Sequence, residues 1–174
     1  MMVIWITGLS GSGKTTVSQA IKNLVKHNLP QLVLVDGDEV RELFNDNLGH
    51  TEEARVIQIK RLQRLAKVLS SQNLIVIIAA LYSHPDLLAW NRTNFQNYWE
   101  VYLDVDLETV RHRDPKGLYK KAYAGELNNV VGLDIPWNPP RHADQVIKMD
   151  AETPKTIALA IIKSVSILND ALIK

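Results

Sequence analysis

Cysteine is absent from the chain, which excludes disulfides and thiolate-bound metal and suits a reducing compartment. A charge imbalance is missing too. Twenty Lys and Arg stand against 19 Asp and Glu, net +1, so no global field favours a nucleic-acid polymer or an anionic membrane. Each local basic cluster has to be judged by its own surroundings. No apolar run is long: LIVIIAAL at 74–81 falls far short of the roughly 18–20 residues that span a bilayer. MMVIWITG carries no basic region ahead of its apolar stretch, so no secretory leader is expected. Internal repeats and low-complexity segments are lacking as well. What remains, 46% hydrophobic and 22% charged, fits one soluble domain over residues 1–174, expected in the cytoplasm.

The apolar runs that are present are short and evenly spread. VIWIT (3–7), QLVLVD (31–36), NLIVIIAA (73–80), EVYLDVD (100–106) and QVIKM (145–149) read as five strands, the first three buried on both faces. Helical spacing lies between them: Val17 to Val25, a short stretch at Val40 to Phe44, and a long amphipathic segment opening at Thr51 with two glutamates behind it. Further helices are expected near Pro85, at 107–112, near 116–124 and over 154–172. The apolar stripe of the last can pack on the sheet or meet a second copy in a homodimer. Strands alternating with helices predict an α/β fold with a parallel sheet and right-handed crossovers. Residues 114–141 hold four prolines and little periodicity, the pattern of a lid or binding loop.

Three stretches carry chemistry. GLSGSGKT, Gly8 to Thr15, follows a strand and opens a helix, the context that makes a G-x-x-x-x-G-K-T match specific. Gly8, Gly11 and Gly13 free the backbone to bring amides onto phosphate, with Ser10, Ser12 and Thr16 completing the loop. Lys14 is expected on the β and γ phosphates and the Thr15 hydroxyl on Mg²⁺. The predicted ligand is a nucleoside triphosphate. VDGDEVR (35–41) ends the second strand on the side where parallel sheets bind ligands. Asp36 and Asp38 there can take a hydroxyl proton or hold Mg²⁺ through water, and Arg41 can hold an anionic acceptor. Taken alone, the same residues also describe a capped turn with solvated acids. RHRDPKGLYKKAYAGE (111–126) groups Arg111, Arg113, Lys116, Lys120 and Lys121, which can close over transferring phosphates or form a solvated basic face.

Together, GLSGSGKT, the DGDxxR turn and DPKGLYKKAxAGE…GxDxP resemble the adenylylsulfate (APS) kinase family, over about residues 3–148. The resemblance implies a P-loop kinase fold of strand order 2-3-1-4-5, five parallel strands flanked by helices with a lid. It implies transfer of the ATP γ-phosphate to a nucleotide's ribose 3′-hydroxyl. Asp36 becomes the base or hydroxyl-orienting residue, Arg41 and Arg55 hold the acceptor's anionic groups, and Lys116 and Lys121 are lid cations. Arg113 joins the ATP site, and Ser83 matches a serine near the acceptor.

The resemblance breaks at one end of the expected cleft. Where the family reads LGFSxxDRxxNIRR, this chain reads LGHTEEARVIQIKR (48–61), so His50 replaces a phenylalanine and Gln58 an asparagine. Where the family reads KNFTGIDSPYE, this chain reads NNVVGLDIPWN (128–138), and Val130 replaces a second phenylalanine. Those rings sandwich the acceptor's adenine in the family, and each base–aromatic stack is worth about 1–3 kcal/mol. The LGH and NVxGxDIP pattern is similar to a paralogous group that phosphorylates cytidine diphosphoramidate in making surface-polysaccharide phosphoramidate. The expected acceptor is therefore cytidine diphosphoramidate, with APS and a non-catalytic nucleotide-binding module as the alternatives. Trp137 is the one tryptophan expected near the acceptor, and His84 reads as a helix-entry residue.

Overall fold

Four of the five positions of VIWIT are apolar, so this segment is satisfied only as a strand covered on both faces. In the computed structural model β1 (Val3–Thr7) is indeed fully buried and central. The structure describes residues 1–44, 48–149 and 152–173. The chain continues through α1 (Lys14–Val25), β2 (Leu32–Asp36), α2 (Gly37–Phe44), α3 (Glu52–Ser71), β3 (Ile75–Ala80), α4 (Pro85–Asn94) and β4 (Tyr98–Asp104). It ends with α5 (Leu107–Arg113), α6 (Leu118–Tyr123), β5 (Gln145–Lys148), α7 (Pro154–Ser164) and α8 (Ser166–Ile173). The sheet is five-stranded, in the order β2-β3-β1-β4-β5, and every pairing is parallel. That is the order implied above.

Alternate residues of β1 feed two cores, as the two-residue strand period requires. Val3 and Trp5 pack with Ile59, Leu62 and Ala66 of α3 and with Leu87 and Leu88 of α4. Ile4 and Ile6 pack on the other face with Val17 and Ile21 of α1 and Ile157 and Ile161 of α7. Helix starts follow their caps. Thr51 Oγ1 accepts the Ala54 amide at 3.3 Å, and His84 Nδ1 accepts the Asp86 amide at 3.3 Å, so His84 is the helix-entry residue its position suggested. Helix α1 differs: Gly13 precedes it in the left-handed region (φ 92°), with no side-chain cap and no acid in its first turn. Its leading amides are thus left for a ligand.

The expected single helix over 154–172 is corrected. It breaks at Val165, which is extended (φ −110°, ψ 105°), and α7 and α8 meet at 112°. Neither Gly nor Pro marks the bend. Packing sets it: Val165, Leu168 and Ala171 are all buried, and Asn28 Nδ2 of the loop after α1 donates to Ala171 O at 2.9 Å. The apolar stripe is thereby covered within the chain. Among the described residues no single helix is long and apolar enough to cross a membrane.

Candidate active site

Parallel order brings the carboxyl ends of β1, β2 and β3 to one rim, and the loops leaving them build a cavity of about 740 Å³. Ser10, Gly11, Gly13, Lys14, Thr15 and Thr16 line it from the first loop. Asp36, Asp38, Arg41, His50, Arg55 and Gln58 line it from β2 to α3, and Arg113, Lys116 and Val130 from the lid. At Gly8 a side chain has no room, since a Cβ would lie 2.7 Å from Ser12 Oγ and 2.8 Å from Leu103 O. Gly8 and Ser12 therefore shape the loop from beneath rather than line the cavity.

Lys14 Nζ donates to Gly8 O and Leu9 O, both at 2.8 Å, which holds the ammonium over the loop. Burial pushes its pKa down to about 8, with Asp38 and Asp36 pulling the other way. The Thr15 hydroxyl donates to Asp36 Oδ2 at 2.6 Å, and the Asp38 amide donates to Asp36 Oδ1 at 2.9 Å. Asp36, 7% exposed, is thus aimed at the phosphate loop from the neighbouring strand end. The Lys14 ammonium and the Asp36 carboxylate share one cleft on one side of the sheet.

The low pKa of Lys14 has a measurable consequence. Phosphate oxygens favour the charged ammonium, so binding ATP at pH 8 is expected to take up roughly half a proton per site. Uptake should fade towards pH 6.5, where Lys14 is already protonated, and vanish in Lys14→Arg. Calorimetry in buffers of different ionisation enthalpy measures it; equal uptake at both pH values sinks the assignment.

The acceptor side is polar at its base. Gln58 Nε2 donates to Gly37 O at 2.8 Å and Arg55 Nη2 to Asn129 O at 2.6 Å, tying α3 to the start of α2 and to the lid. Gln58 Oε1 and Arg55 Nε are buried with no partner among the described residues, a cost that a bound ligand or water removes. Lys116 pairs with Asp38 across the cleft. Burial alone raises the Asp38 carboxyl, but Lys116, Lys14 and Arg41 outweigh it and hold it below the usual range. Burial, then Arg41 and Arg55, depress His50, which keeps its imidazole neutral near pH 7. The lid is docked, with the Tyr119 hydroxyl donating to Ser10 O at 3.3 Å.

Three residues expected on the acceptor and lid side are not brought to the cavity. Ser83 is buried beside it, its hydroxyl without a partner among the described residues. Lys121 faces outward on α6, because the helix begins only after Lys116 and turns the later lysine away from the cleft. Trp137 packs on Tyr102 (centroids 6.0 Å apart) in a separate cavity of about 350 Å³, so it is corrected from acceptor neighbour to lid packing. Conversely, Tyr82 lines the cleft and was overlooked. It lies two residues beyond the third strand, on the rim where Asp36 ends the second, which was the signal available.

Comparison with known proteins follows this geometry. The adenylylsulphate kinase family model matches residues 1–148. A cytidine diphosphoramidate kinase of Campylobacter jejuni is 38% identical over 145 residues, covering 83% of this chain and 84% of the relative. An adenylyl-sulfate kinase of Rippkaea orientalis is 36% identical over 152 residues, covering 87% and 84%. The Mycobacterium tuberculosis APS kinase CysC, solved in complex with AMPPNP and APS, superposes with a TM-score of 0.86 at 30% identity, covering 94% of this chain and 96% of that one. Identities of 38% and 36% do not separate the two activities.

Proposed function

The chain belongs to the adenylylsulphate kinase family, and from that premise we propose that it phosphorylates the ribose 3′-hydroxyl of cytidine diphosphoramidate with ATP. The observation that carries the phosphotransfer is the 2.6 Å contact of the Thr15 hydroxyl with Asp36, beside Lys14 in one cavity. In the proposed step the acceptor oxygen attacks the γ-phosphorus in line. Its proton passes to the Asp36 carboxylate, and the bond from the γ-phosphorus to the bridging oxygen breaks, leaving ADP with that electron pair. Lys14, Arg113 and Lys116 face the oxygens over which charge spreads, and Arg41 and Arg55 face the acceptor's anionic end.

The donor set suits Mg²⁺. Among the described residues no cluster of three or more His, Asp or Glu side chains forms a metal cage. A hydroxyl and a carboxylate beside the phosphate loop match the usual holding of Mg²⁺ by few protein oxygens plus substrate phosphates and water. Thr15 would ligate the ion directly and Asp36 through water. When bound, Mg²⁺ neutralises charge on the β and γ phosphates.

The choice of acceptor rests on the wall that changed. Val130 is aliphatic and 6% exposed, and His50 offers the smaller imidazole, where family members use two phenylalanines. Losing both rings weakens adenine stacking by roughly 2–6 kcal/mol if the terms add. A smaller pyrimidine depends less on that sandwich. This reading places the product in making phosphoramidate groups of bacterial surface polysaccharide. The second reading is APS as acceptor, favoured by the intact Arg41, Arg55 and Lys116 set and by the likeness to the APS-bound kinase. Purified protein with ATP and Mg²⁺ is expected to add one phosphoryl mass to cytidine diphosphoramidate with a higher kcat/KM than to APS, read by mass spectrometry. Equal or faster turnover of APS reverses the ranking.

A further inference from the structure

Tyr82 is the only Phe, Tyr or Trp among the described residues lining the cleft, yet it is 4% exposed and offers little ring surface to a ligand. Its notable feature is its hydroxyl, which donates to Glu52 Oε1 at 2.7 Å across 30 residues of chain. Glu52 lies in the first turn of α3, directly after the cap residue Thr51, and His50 comes just before that cap. The bond therefore joins the end of β3, a rigid central strand, to the segment that carries His50 into the cavity.

We propose that Tyr82 and Glu52 form a positioning pair that holds the start of α3, and with it His50, in place at the acceptor pocket. The inference rests on the proposed kinase reading and deepens its acceptor side. Leu48 to His50 has little packing of its own: Leu48 is half-buried, Gly49 and His50 are exposed, and Gly49 takes φ 71° with open space around it. Arg41 donates to Gly49 O, and Thr51 caps the helix from within, so the Glu52 bond is the tie that reaches across to the sheet. Glu52 is an exposed side chain, and without a fixed partner it would sample several rotamers. Burial, and then Glu52 itself, push the Tyr82 hydroxyl pKa well above its ordinary value, so the donor keeps its proton at any working pH. Lys14, Thr15 and Asp36 belong to other elements, so loosening this tie should leave the phosphate end alone.

The test uses Tyr82→Phe and Glu52→Ala, with Glu52→Gln as the conservative variant that still offers a carbonyl oxygen. With cytidine diphosphoramidate and with APS as separate probes, the first two should raise the acceptor KM by about five- to tenfold. The ATP KM and kcat should move less than twofold, and Glu52→Gln should stay near wild type. Combining Tyr82→Phe with Glu52→Ala should add nothing to either alone. A second readout needs no turnover. His50, held below the usual histidine value by burial and then by Arg41 and Arg55, with Asp38 opposing, should titrate closer to about 6.5 by NMR in Tyr82→Phe and Glu52→Ala. Unchanged acceptor KM and unchanged His50 titration overturn the pairing, as does an ATP KM that rises with the acceptor KM. If neither probe is phosphorylated the kinase reading fails, while the His50 titration still decides the pair.

Discussion

Replacing Asp36 with alanine is expected to lower kcat by about 10³-fold while ATP affinity stays within about threefold, since a positioned base contributes about 10²–10⁴. The carboxylate is 7% exposed, at the end of β2, with Oδ2 on the Thr15 hydroxyl and Oδ1 on the Asp38 amide. Those contacts fix its orientation before any acceptor arrives, so little reorganisation is needed at the moment of transfer. ATP affinity, by contrast, comes chiefly from loop amides, Lys14 and the start of α1, where the one hydrogen bond to Asp36 is that of the Thr15 hydroxyl. Asp36→Asn sharpens the test. An asparagine can accept the Asp38 amide through its carbonyl oxygen and donate from Nδ2 to the Thr15 hydroxyl oxygen, but cannot take a proton. If proton acceptance is the role, Asn and Ala fall together; if orientation is the role, Asn retains most of the rate. A kcat within tenfold of wild type in the alanine variant removes Asp36 from the chemistry.

The sheet and the phosphate end were legible because their physics is local. A strand buried on both faces has to be a nearly unbroken apolar run, as VIWI and LIVIIAA are, and parallel order then puts every strand's carboxyl end on one rim. Asp36 could be placed beside Lys14 from those two facts alone. What the sequence hid depends on direction and on packing between distant elements. The bend at Val165 has no Gly or Pro to announce it, and it brings Leu168 and Ala171 of α8 into the core that holds Val17, Ile21 and Val25 of α1. Ser83 and Tyr82 are neighbours on opposite sides of one turn, and only coordinates show that Tyr82 reaches the cleft. Lys116 and Lys121 share a basic cluster, but α6 begins between them and turns them apart. In the last two cases the fold, not the residue type, decides which side chain lines the cleft.

The changed wall yields the second large effect, a gain of activity. His50→Phe combined with Val130→Phe should raise kcat/KM for APS by about 10²-fold, taking the middle of the 2–6 kcal/mol that two stacks supply and discounting imperfect ring placement. Both positions line the cavity, and the backbone that carries Val130 is already fixed, since Asp134 accepts the Asn129 and Val130 amides. A ring at 130 would thus grow from an anchored turn into space the isopropyl group leaves open. His50 sits on the less anchored side, held through the segment that Glu52 ties to Tyr82, so its ring is expected to contribute less than that at 130. The single variants should therefore differ, Val130→Phe giving the larger gain. Turnover of the cytidine acceptor should change far less, because a pyrimidine offers less face to each ring, so the preference narrows or inverts. Should the folded double variant leave the APS rate within twofold of wild type, the base wall does not choose the acceptor, and selection must lie with Arg41, Arg55 and Gln58 at the anionic end.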